Sequence, residues 1–203
     1  MENWQKNLRA SITTPEQLAA HFPVDVAALK VVVERYPMRI TPHYLGLIQE
    51  PGDPIWRQCV PDPAELDDAG QREDPLAEER LSPVPALVHR YNDRVLLLVS
   101  GTCASYCRFC TRKRKVGCAG MRTTMGEVHE GIEYIARHSE IRDVLLSGGD
   151  PLLRSDLLLQ DILQRLGRIP HLDLVRIGSR VPVTLPERVT EKLCTLLGRA
   201  QPL

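Results

Sequence analysis

Apolar residues change their spacing along the chain, and the pattern is clearest in the second half. Short apolar runs predict buried strands, whereas apolar residues three or four positions apart predict helices. The predicted strands cover residues 95–100, 143–147 and 172–178, and the predicted helices cover residues 124–138, 155–166 and 185–197. Strands that alternate with helices form right-handed βαβ units around a parallel sheet. The pattern therefore predicts an α/β fold.

The first part of the chain has a different pattern, which predicts short helices and then a connector. Residues 4–47 have helical spacing interrupted by prolines, and Thr14 and Thr41 each stand before a proline, as an N-cap does. Residues 49–85 are rich in proline and acidic residues, which is typical of an irregular ordered connector or of a flexible linker. The two predicted regions are a helical preamble with its connector, residues 1–85, and an α/β region, residues 86–203.

The charge balance gives no reason to expect a nucleic-acid or membrane partner. The 203 residues include 26 basic and 26 acidic side chains, so no net charge attracts either surface. No apolar run approaches the roughly 18 residues of a membrane span, and the first residues lack the pattern of a secretory signal. Three of the six cysteines are packed closely together, which favours reduced thiols over a disulfide framework. We therefore expect a cytoplasmic protein.

The three clustered cysteines are the strongest candidates for chemistry. Cys103, Cys107 and Cys110 follow the first predicted strand with the spacing Cys-x3-Cys-x2-Cys, in a loop of the kind that carries sites in α/β proteins. Structural zinc sites and ferredoxin clusters take four ligands, whereas three thiolates can hold three irons of a cubane and leave the fourth open. The spacing favours an iron–sulfur cluster. The alternative is a zinc site completed by Cys118 or His129.

A glycine-rich turn follows the second predicted strand. Gly148 and Gly149 allow a close approach of the backbone to a ligand, and their peptide groups can bind the polar end of a small molecule. The turn follows a strand next to the one that precedes the cysteines, so we expect the two motifs to lie side by side. The alternative is a plain turn.

Together the two motifs resemble those of the radical S-adenosylmethionine enzymes. The resemblance implies that Cys103, Cys107 and Cys110 ligate a 4Fe–4S cluster whose open iron binds S-adenosylmethionine. Electron transfer from the cluster then splits that molecule into methionine and a 5′-deoxyadenosyl radical. The residues implied at S-adenosylmethionine are Phe109, Ser147, Gly148, Gly149 and Asp150.

Further motifs narrow the resemblance to the lysine 2,3-aminomutase family. They are residues 40–44, 74–76, 82–85, 89–91, 93–98, 107–112, 143–150 and 176–180. The resemblance implies a partial (β/α)6 barrel and a second cofactor, pyridoxal 5′-phosphate. It also implies that Arg112 pairs with the carboxylate of an amino-acid substrate. Arg90, Tyr91 and Arg94 are candidates near the pyridoxal phosphate, and the alternative for them is a solvated strand entrance.

The same resemblance leaves part of the reaction unassigned. The family's lysine that carries pyridoxal phosphate lies in a later segment that cannot be placed here, so we assign no catalytic residue. Three parallel strands would also leave an unpaired sheet edge. We therefore expect an N-terminal portion, with a helical segment and the first three βα units of the barrel, that does not complete the reaction alone.

The function implied by the resemblance is an isomerase that converts L-lysine to β-lysine. It implies a flavodoxin or ferredoxin as reductant, and we expect a homo-oligomer at full length. Alternatives within the class are an enzyme that makes β-lysine for attachment to an elongation factor, and a glutamate 2,3-aminomutase. Alternatives from other classes are a non-catalytic iron–sulfur module for electron transfer or binding, and a zinc-binding module. The basic run at residues 112–115 lacks the interleaved aromatic residues of a nucleic-acid patch. Residues 176–180, at the end of the third predicted strand, are a candidate contact for an anion and are assigned no partner.

Overall fold

A mixed four-stranded sheet forms the second half of the computed structural model, which describes residues 2–67, 72–118 and 123–200. The strands are β1 (Leu87–Tyr91), β2 (Arg94–Ser100), β3 (Asp143–Gly148) and β4 (Leu174–Ile177). Their order in the sheet follows the sequence. β1 is antiparallel to β2, whereas β2, β3 and β4 are parallel. The α/β class and the three parallel strands are confirmed.

The strand β1 is absent from the sequence prediction, which expected a wholly parallel sheet. Tyr91 pairs with Arg94, so β1 and β2 form a hairpin closed by Asn92 and Asp93. Only the first two residues of β1 are apolar and buried, so the strand does not stand out as an apolar run. Because a two-residue turn reverses the chain directly, β2 pairs with β1 as an antiparallel neighbour. The sheet is therefore mixed.

Nine short helices surround this sheet or precede it among the described residues. Those of the preamble and connector are α1 (Asn3–Arg9), α2 (Pro15–Ala19), α3 (Val26–Arg35), α4 (Pro42–Leu45) and α5 (Trp56–Cys59). Those of the second half are α6 (Met125–Arg137), α7 (Asp156–Leu166), α8 (Val181–Thr184) and α9 (Glu191–Gly198). The predicted caps are confirmed, because Thr14 Oγ1 accepts a hydrogen bond from Gln17 N (3.3 Å) and Thr41 Oγ1 accepts one from Tyr44 N (3.2 Å).

The last predicted helix, residues 185–197, is wrong in its first part. Pro186 opens a separate 3-10 turn, Pro186–Arg188, and α9 begins only at Glu191, where Thr190 Oγ1 caps the amide of Leu193 at 3.2 Å. Proline fixes its own φ and lacks an amide hydrogen, so it starts a helical turn more readily than it continues one. The apolar spacing of the segment hides this break.

The main core lies between the sheet and helices α6 and α7. Val95, Leu97 and Val99 of β2 point into it and are almost fully buried. The intervening residues Leu96 and Leu98 are only partly buried on the opposite face, as the alternation of side chains along a strand requires. That second face is therefore available to line a site.

The preamble has a core of its own, and a small apolar cluster is one of its contacts with the sheet region. Its core includes Leu18, Leu29 and Ile40 and extends to Val60 in the connector. Trp4 of α1 packs with Ala104 and with Leu185 beyond β4. The described part of the connector is thus packed rather than a free linker, and its residues 68–71 lie outside the described residues. The division at residue 85 stays a prediction.

None of the helices in the described ranges is long and apolar enough to cross a membrane.

Candidate functional site

The glycine-rich turn and the cysteine loop (residues 101–118) lie together at the carboxyl ends of β2 and β3. Gly149 N donates to Ser100 O at 2.5 Å, and Asp150 N donates to Thr102 O at 2.7 Å. Because β2 and β3 are parallel neighbours, their carboxyl ends lie on the same side of the sheet. Two motifs separated by some forty residues therefore meet there. The expected proximity of the two motifs is confirmed.

Gly148 and Gly149 are needed because the backbone after β3 closely approaches the backbone at the start of the cysteine loop. Gly148 has φ +119°, and a Cβ at this position would lie 2.2 Å from Ser100 O. A Cβ on Gly149 would lie 2.3 Å from Thr102 O. No side chain fits at either position without moving the start of the cysteine loop. The glycines therefore position the loop, and the amide of Gly149 is already used within the chain.

Asp150 has a structural function at the end of the turn. Its carboxylate is buried and accepts hydrogen bonds from Ser179 Oγ (2.7 Å), Arg180 N (2.7 Å) and Val181 N (3.1 Å), as well as from Leu152 N (3.0 Å). These donors follow β4 or begin the 3-10 turn after β3. A carboxylate that accepts several backbone amides is strongly held. Asp150 thereby fixes the ends of β3 and β4 relative to each other.

The three cysteines of the loop are free thiols with partial exposure. Burial raises the pKa of Cys103 and of Cys110, because a thiolate loses hydration there. Their chemistry fits a thiolate-ligated cluster, since three thiols lie on one loop and none forms a disulfide among the described residues. Within the described ranges, however, no three histidine, cysteine or acidic side chains are arranged to hold a metal ion.

The two residues considered as a fourth zinc ligand have other partners. Cys118 Sγ contacts Arg114 O at 3.5 Å. His129 Nε2 pairs with Asp161 Oδ2 at 2.7 Å, on the helical side of the sheet. The structure therefore gives no support to the zinc alternative.

Arg180 contacts the cysteine loop, although the sequence analysis gave it no partner. Its Nη1 donates to Cys107 Sγ, and its Nη2 donates to Tyr44 Oη (3.0 Å) and Gln58 Oε1 (2.7 Å). The guanidinium also lies over the ring of Phe109, 5.5 Å from its centroid. Arg180 thus joins β4, the preamble and the cysteine loop. An arginine after a strand end was the only available sequence signal.

The preamble also holds the backbone of the loop directly. Arg39 O accepts hydrogen bonds from Tyr106 N and Ser105 Oγ, both at 3.0 Å. From the connector, Gln58 O accepts a hydrogen bond from Arg108 N at 2.9 Å. The helical spacing of the preamble predicts its helices but does not indicate that they support the site.

Acidic residues of the connector neutralise the basic residues of the loop. Arg108 forms a buried bidentate pair with Glu65, with both N–O distances 2.9 Å. The remaining ion pairs are Arg112–Glu78, Lys113–Glu65, Arg114–Asp74, Arg114–Glu79 and Lys115–Glu79. The basic run is therefore matched inside the protein, which removes the reason to regard it as a nucleic-acid patch.

A cavity of about 260 Å³ brings together the other predicted residues. It lies against the sheet face opposite the main core, where Leu96 and Leu145 point. Four arginines and two further polar residues line it, namely Arg90, Arg94, Arg112, Arg176, Tyr91 and Glu78. An excess of cationic side chains suits an anionic ligand. Arg90, Tyr91, Arg94 and Arg112 thus line one cavity, which supports their predicted roles. The roles themselves stay predictions.

Two of the arginines have carboxylate partners at the amino ends of the strands. Arg94 pairs with Asp93 through N–O distances of 2.9 and 2.8 Å, and Arg176 pairs with Asp143 at 3.0 and 2.7 Å. Arg94 begins β2 and Ser100 ends it, so this end of the cavity is roughly 20 Å from the cysteine loop. Arg112, two residues after Cys110, is the residue that belongs to both.

The predicted S-adenosylmethionine residues are not all in one cavity. A space of about 900 Å³ borders Phe109 and Cys110, together with Arg108 and Lys113, but residues 147–150 do not line it. Phe109 is two-thirds exposed. Its ring is joined to the glycine-rich turn indirectly, through Arg180 and Asp150.

Known proteins are similar in sequence to this chain over nearly its whole length. An L-lysine 2,3-aminomutase of Clostridium subterminale is 44% identical over 207 residues, which span 99% of this chain and 50% of that protein. An L-lysine 2,3-aminomutase of Haemophilus influenzae is 34% identical over 98% of this chain and 61% of that protein. This chain belongs to the lysine 2,3-aminomutase family.

Family membership confirms the resemblance stated from the motifs. A glutamate 2,3-aminomutase of Clostridioides difficile is also similar, at 39% identity over 86% of this chain. The chain spans about half the length of the curated relatives it matches. No protein-family model matches it. The roles of individual site residues stay predictions.

Proposed function

We propose that the protein carrying this chain is a radical S-adenosylmethionine aminomutase that moves an amino group between adjacent carbons of an amino acid. The observation that carries this proposal is the meeting of the cysteine loop and the glycine-rich turn at one sheet edge, beside the arginine-lined cavity. The similarity to named 2,3-aminomutases supports the reaction class. L-Lysine is the proposed substrate, because L-lysine 2,3-aminomutases recur among the similar proteins.

The cysteine loop with the glycine-rich turn has one proposed function, and the arginine-lined cavity has another. Cys103, Cys107 and Cys110 would hold a 4Fe–4S cluster, and Phe109 with residues 147–150 would adjoin S-adenosylmethionine. The cofactors supply one-electron chemistry and an electron sink, and a flavodoxin or ferredoxin is the proposed reductant. The residues of this chain bind and orient.

The arginine-lined cavity is the proposed place for the anionic groups. Arg112 would bind the substrate carboxylate, for which a planar guanidinium is suited. Arg90, Tyr91 and Arg94 would adjoin the phosphate of pyridoxal phosphate. Four arginines and one carboxylate line the cavity, and this excess of positive charge favours such groups.

Anaerobic reconstitution with iron and sulfide tests the cluster. We expect an electron paramagnetic resonance signal of a reduced 4Fe–4S cluster that shifts on addition of S-adenosylmethionine. Cys107→Ala should lose that signal, whereas Cys194→Ala, on the exposed side of α9, should keep it. Stoichiometric zinc without iron would contradict the proposal. A cluster indifferent to S-adenosylmethionine would favour the electron-transfer alternative.

A second candidate is glutamate 2,3-aminomutase, favoured by the similar protein of that name. The two substrates share the carboxylate that Arg112 would bind and differ at the far end. Competition between L-lysine and L-glutamate for the protein distinguishes them. We expect L-lysine to bind more tightly, and a preference for L-glutamate would select the second candidate.

A further inference from the structure

The ion pair between Arg112 and Glu78 leaves one side of the guanidinium available. Arg112 Nε donates to Glu78 Oε2 at 2.8 Å, and Nη2 donates to Glu78 Oε1 at 2.5 Å. Both side chains are largely buried, with exposures of 15% and 10%. A guanidinium can form bidentate contacts along its Nε/Nη2 edge or along its Nη1/Nη2 edge. Glu78 occupies the first edge only.

Other ion pairs also hold the connector against the loop. The neighbouring residue Glu79 pairs with Arg114 and Lys115, each at 2.8 Å, and Asp74 pairs with Arg114 at 3.4 Å. A buried ion pair often contributes little net stability, because both groups lose hydration. Fixing the connector therefore does not explain why a carboxylate is buried at Arg112.

The surroundings point to a function in orientation. Arg112 and Glu78 both line the cavity that also contains Arg90 and Arg176. An arginine side chain without a partner has several rotatable bonds, and ordering it on ligand binding costs free energy. A carboxylate fixed to one edge reduces that cost and fixes the direction of the other edge.

We propose that Glu78 is a positioning residue that holds Arg112 so that its Nη1/Nη2 edge receives the substrate carboxylate. The proposal rests on the proposed function of Arg112 as the carboxylate-binding residue. The competing interpretation is that Glu78 occupies the carboxylate site itself and must be displaced. The two interpretations predict opposite effects when Glu78 loses its charge.

Binding of L-lysine and of L-lysinamide, which lacks the carboxylate, tests the proposal by isothermal titration calorimetry. The wild-type protein should prefer L-lysine, and Arg112→Lys should abolish the preference. Glu78→Gln should weaken L-lysine binding about tenfold or more, because one hydrogen bond to Arg112 is lost and its orientation is released. The affinity for L-lysinamide should change less than twofold.

Two further variants separate orientation from charge and from folding. Glu79→Gln makes the same change in charge one residue away, where the side chain is exposed, and should leave the affinity for L-lysine within twofold of wild type. Glu78→Asp keeps the charge and should restore part of the lost affinity. Thermal unfolding of each variant checks that the protein is folded.

The outcomes distinguish a failure of the proposed function of Arg112 from a failure of the proposed function of Glu78. If the wild-type protein binds L-lysine and L-lysinamide equally, the proposed function of Arg112 fails and this inference fails with it. If the wild-type preference is present but Glu78→Gln binds L-lysine equally or more tightly, the function of Arg112 stands and the positioning function of Glu78 is refuted.

Discussion

The cysteine loop and the β1–β2 hairpin carry the two groups of predicted cofactor residues, and they are held in different ways. The loop is fixed by backbone contacts from the preamble and from the glycine-rich turn, and by the buried pair of Arg108 with Glu65. At the tip of the hairpin, Arg94 and Asp93 form an exposed pair, with exposures of 50% and 55%. Steric fit and burial thus fix the first region, whereas solvent-screened charge acts at the second.

This difference suggests separate tasks. A cluster site needs thiols at fixed positions, since metal–ligand distances tolerate little variation. A region that receives a phosphate or a carboxylate needs charge more than a fixed backbone. Substitutions should therefore be costly around the loop and mild at the hairpin tip.

The largest expected effect is that of Gly148→Ala. The new Cβ would lie 2.2 Å from Ser100 O at a φ of +119°, so both the strand end and the loop must move. We expect a loss of about 3–4 kcal/mol in the free energy of unfolding, measured in urea, and poor cluster reconstitution. Gly126→Ala is the control, because it lies on α6 and its Cβ would come no closer than 3.9 Å to a neighbouring side chain, that of Thr124. It should be neutral or slightly stabilising. Equal effects of the two substitutions would contradict the steric account.

The second prediction concerns the buried pair of the loop. Glu65→Gln leaves the Arg108 guanidinium, 6% exposed, without its carboxylate. We expect destabilisation by about 2–3 kcal/mol. The control is Asp173→Asn, which removes an equally bidentate partner from Arg142 at an exposed position and should leave the melting temperature unchanged. Similar melting temperatures for the two variants would show that burial does not distinguish these pairs.

The third prediction concerns the pH dependence of stability. Burial raises the pKa of Cys59, behind the loop, to about 12, whereas a thiol in the unfolded chain titrates near 8.5. The folded state therefore keeps the proton of Cys59 up to a higher pH than the unfolded state does. The contribution of Cys59 to stability is therefore complete below about pH 8.5 and is lost between that pH and about 12, by about 1.4 kcal/mol per pH unit.

Cys59→Ala tests this by comparing slopes rather than absolute stabilities. Urea unfolding under reducing conditions at pH 8 and pH 10 should show a smaller loss of stability for the variant than for wild type. The other thiols titrate in both proteins and do not affect the difference. Parallel losses in the two proteins would mean that the thiol of Cys59 has its ordinary pKa.

The sequence predicted the parts of the molecule that depend on local pattern. The caps at Thr14 and Thr41, the three parallel strands and the meeting of Cys103 with the glycine-rich turn follow from spacing and from the way parallel strands end. Short motifs along nearly the whole chain also led to the lysine 2,3-aminomutase family, as the similar proteins confirm. These features need only a few neighbouring residues to be recognised.

The contacts that complete the site depend on residues far apart in the chain. Nothing near Arg180 in the sequence indicates that Tyr44 and Gln58 would be its partners, and nothing near Arg112 indicates Glu78. The strand β1 was missed for a similar reason, because its second half is polar and is held by pairing with β2. Tertiary pairing of charges and strand edges is invisible to periodicity.

The smallest expected effect is that of Asp93→Asn at the hairpin tip. Arg94 lowers the pKa of Asp93 by a bidentate contact, but both groups are exposed and water screens them. We expect the melting temperature to stay within about 1 °C of wild type, both at low salt and in about 1 M sodium chloride, where such pairs are screened. The uncompensated Arg94 should bind inorganic phosphate more tightly than in wild type, because the cavity gains net positive charge. A melting temperature lowered as far as in Glu65→Gln would show that the hairpin is held as rigidly as the cysteine loop, and the proposed separation of tasks would fail.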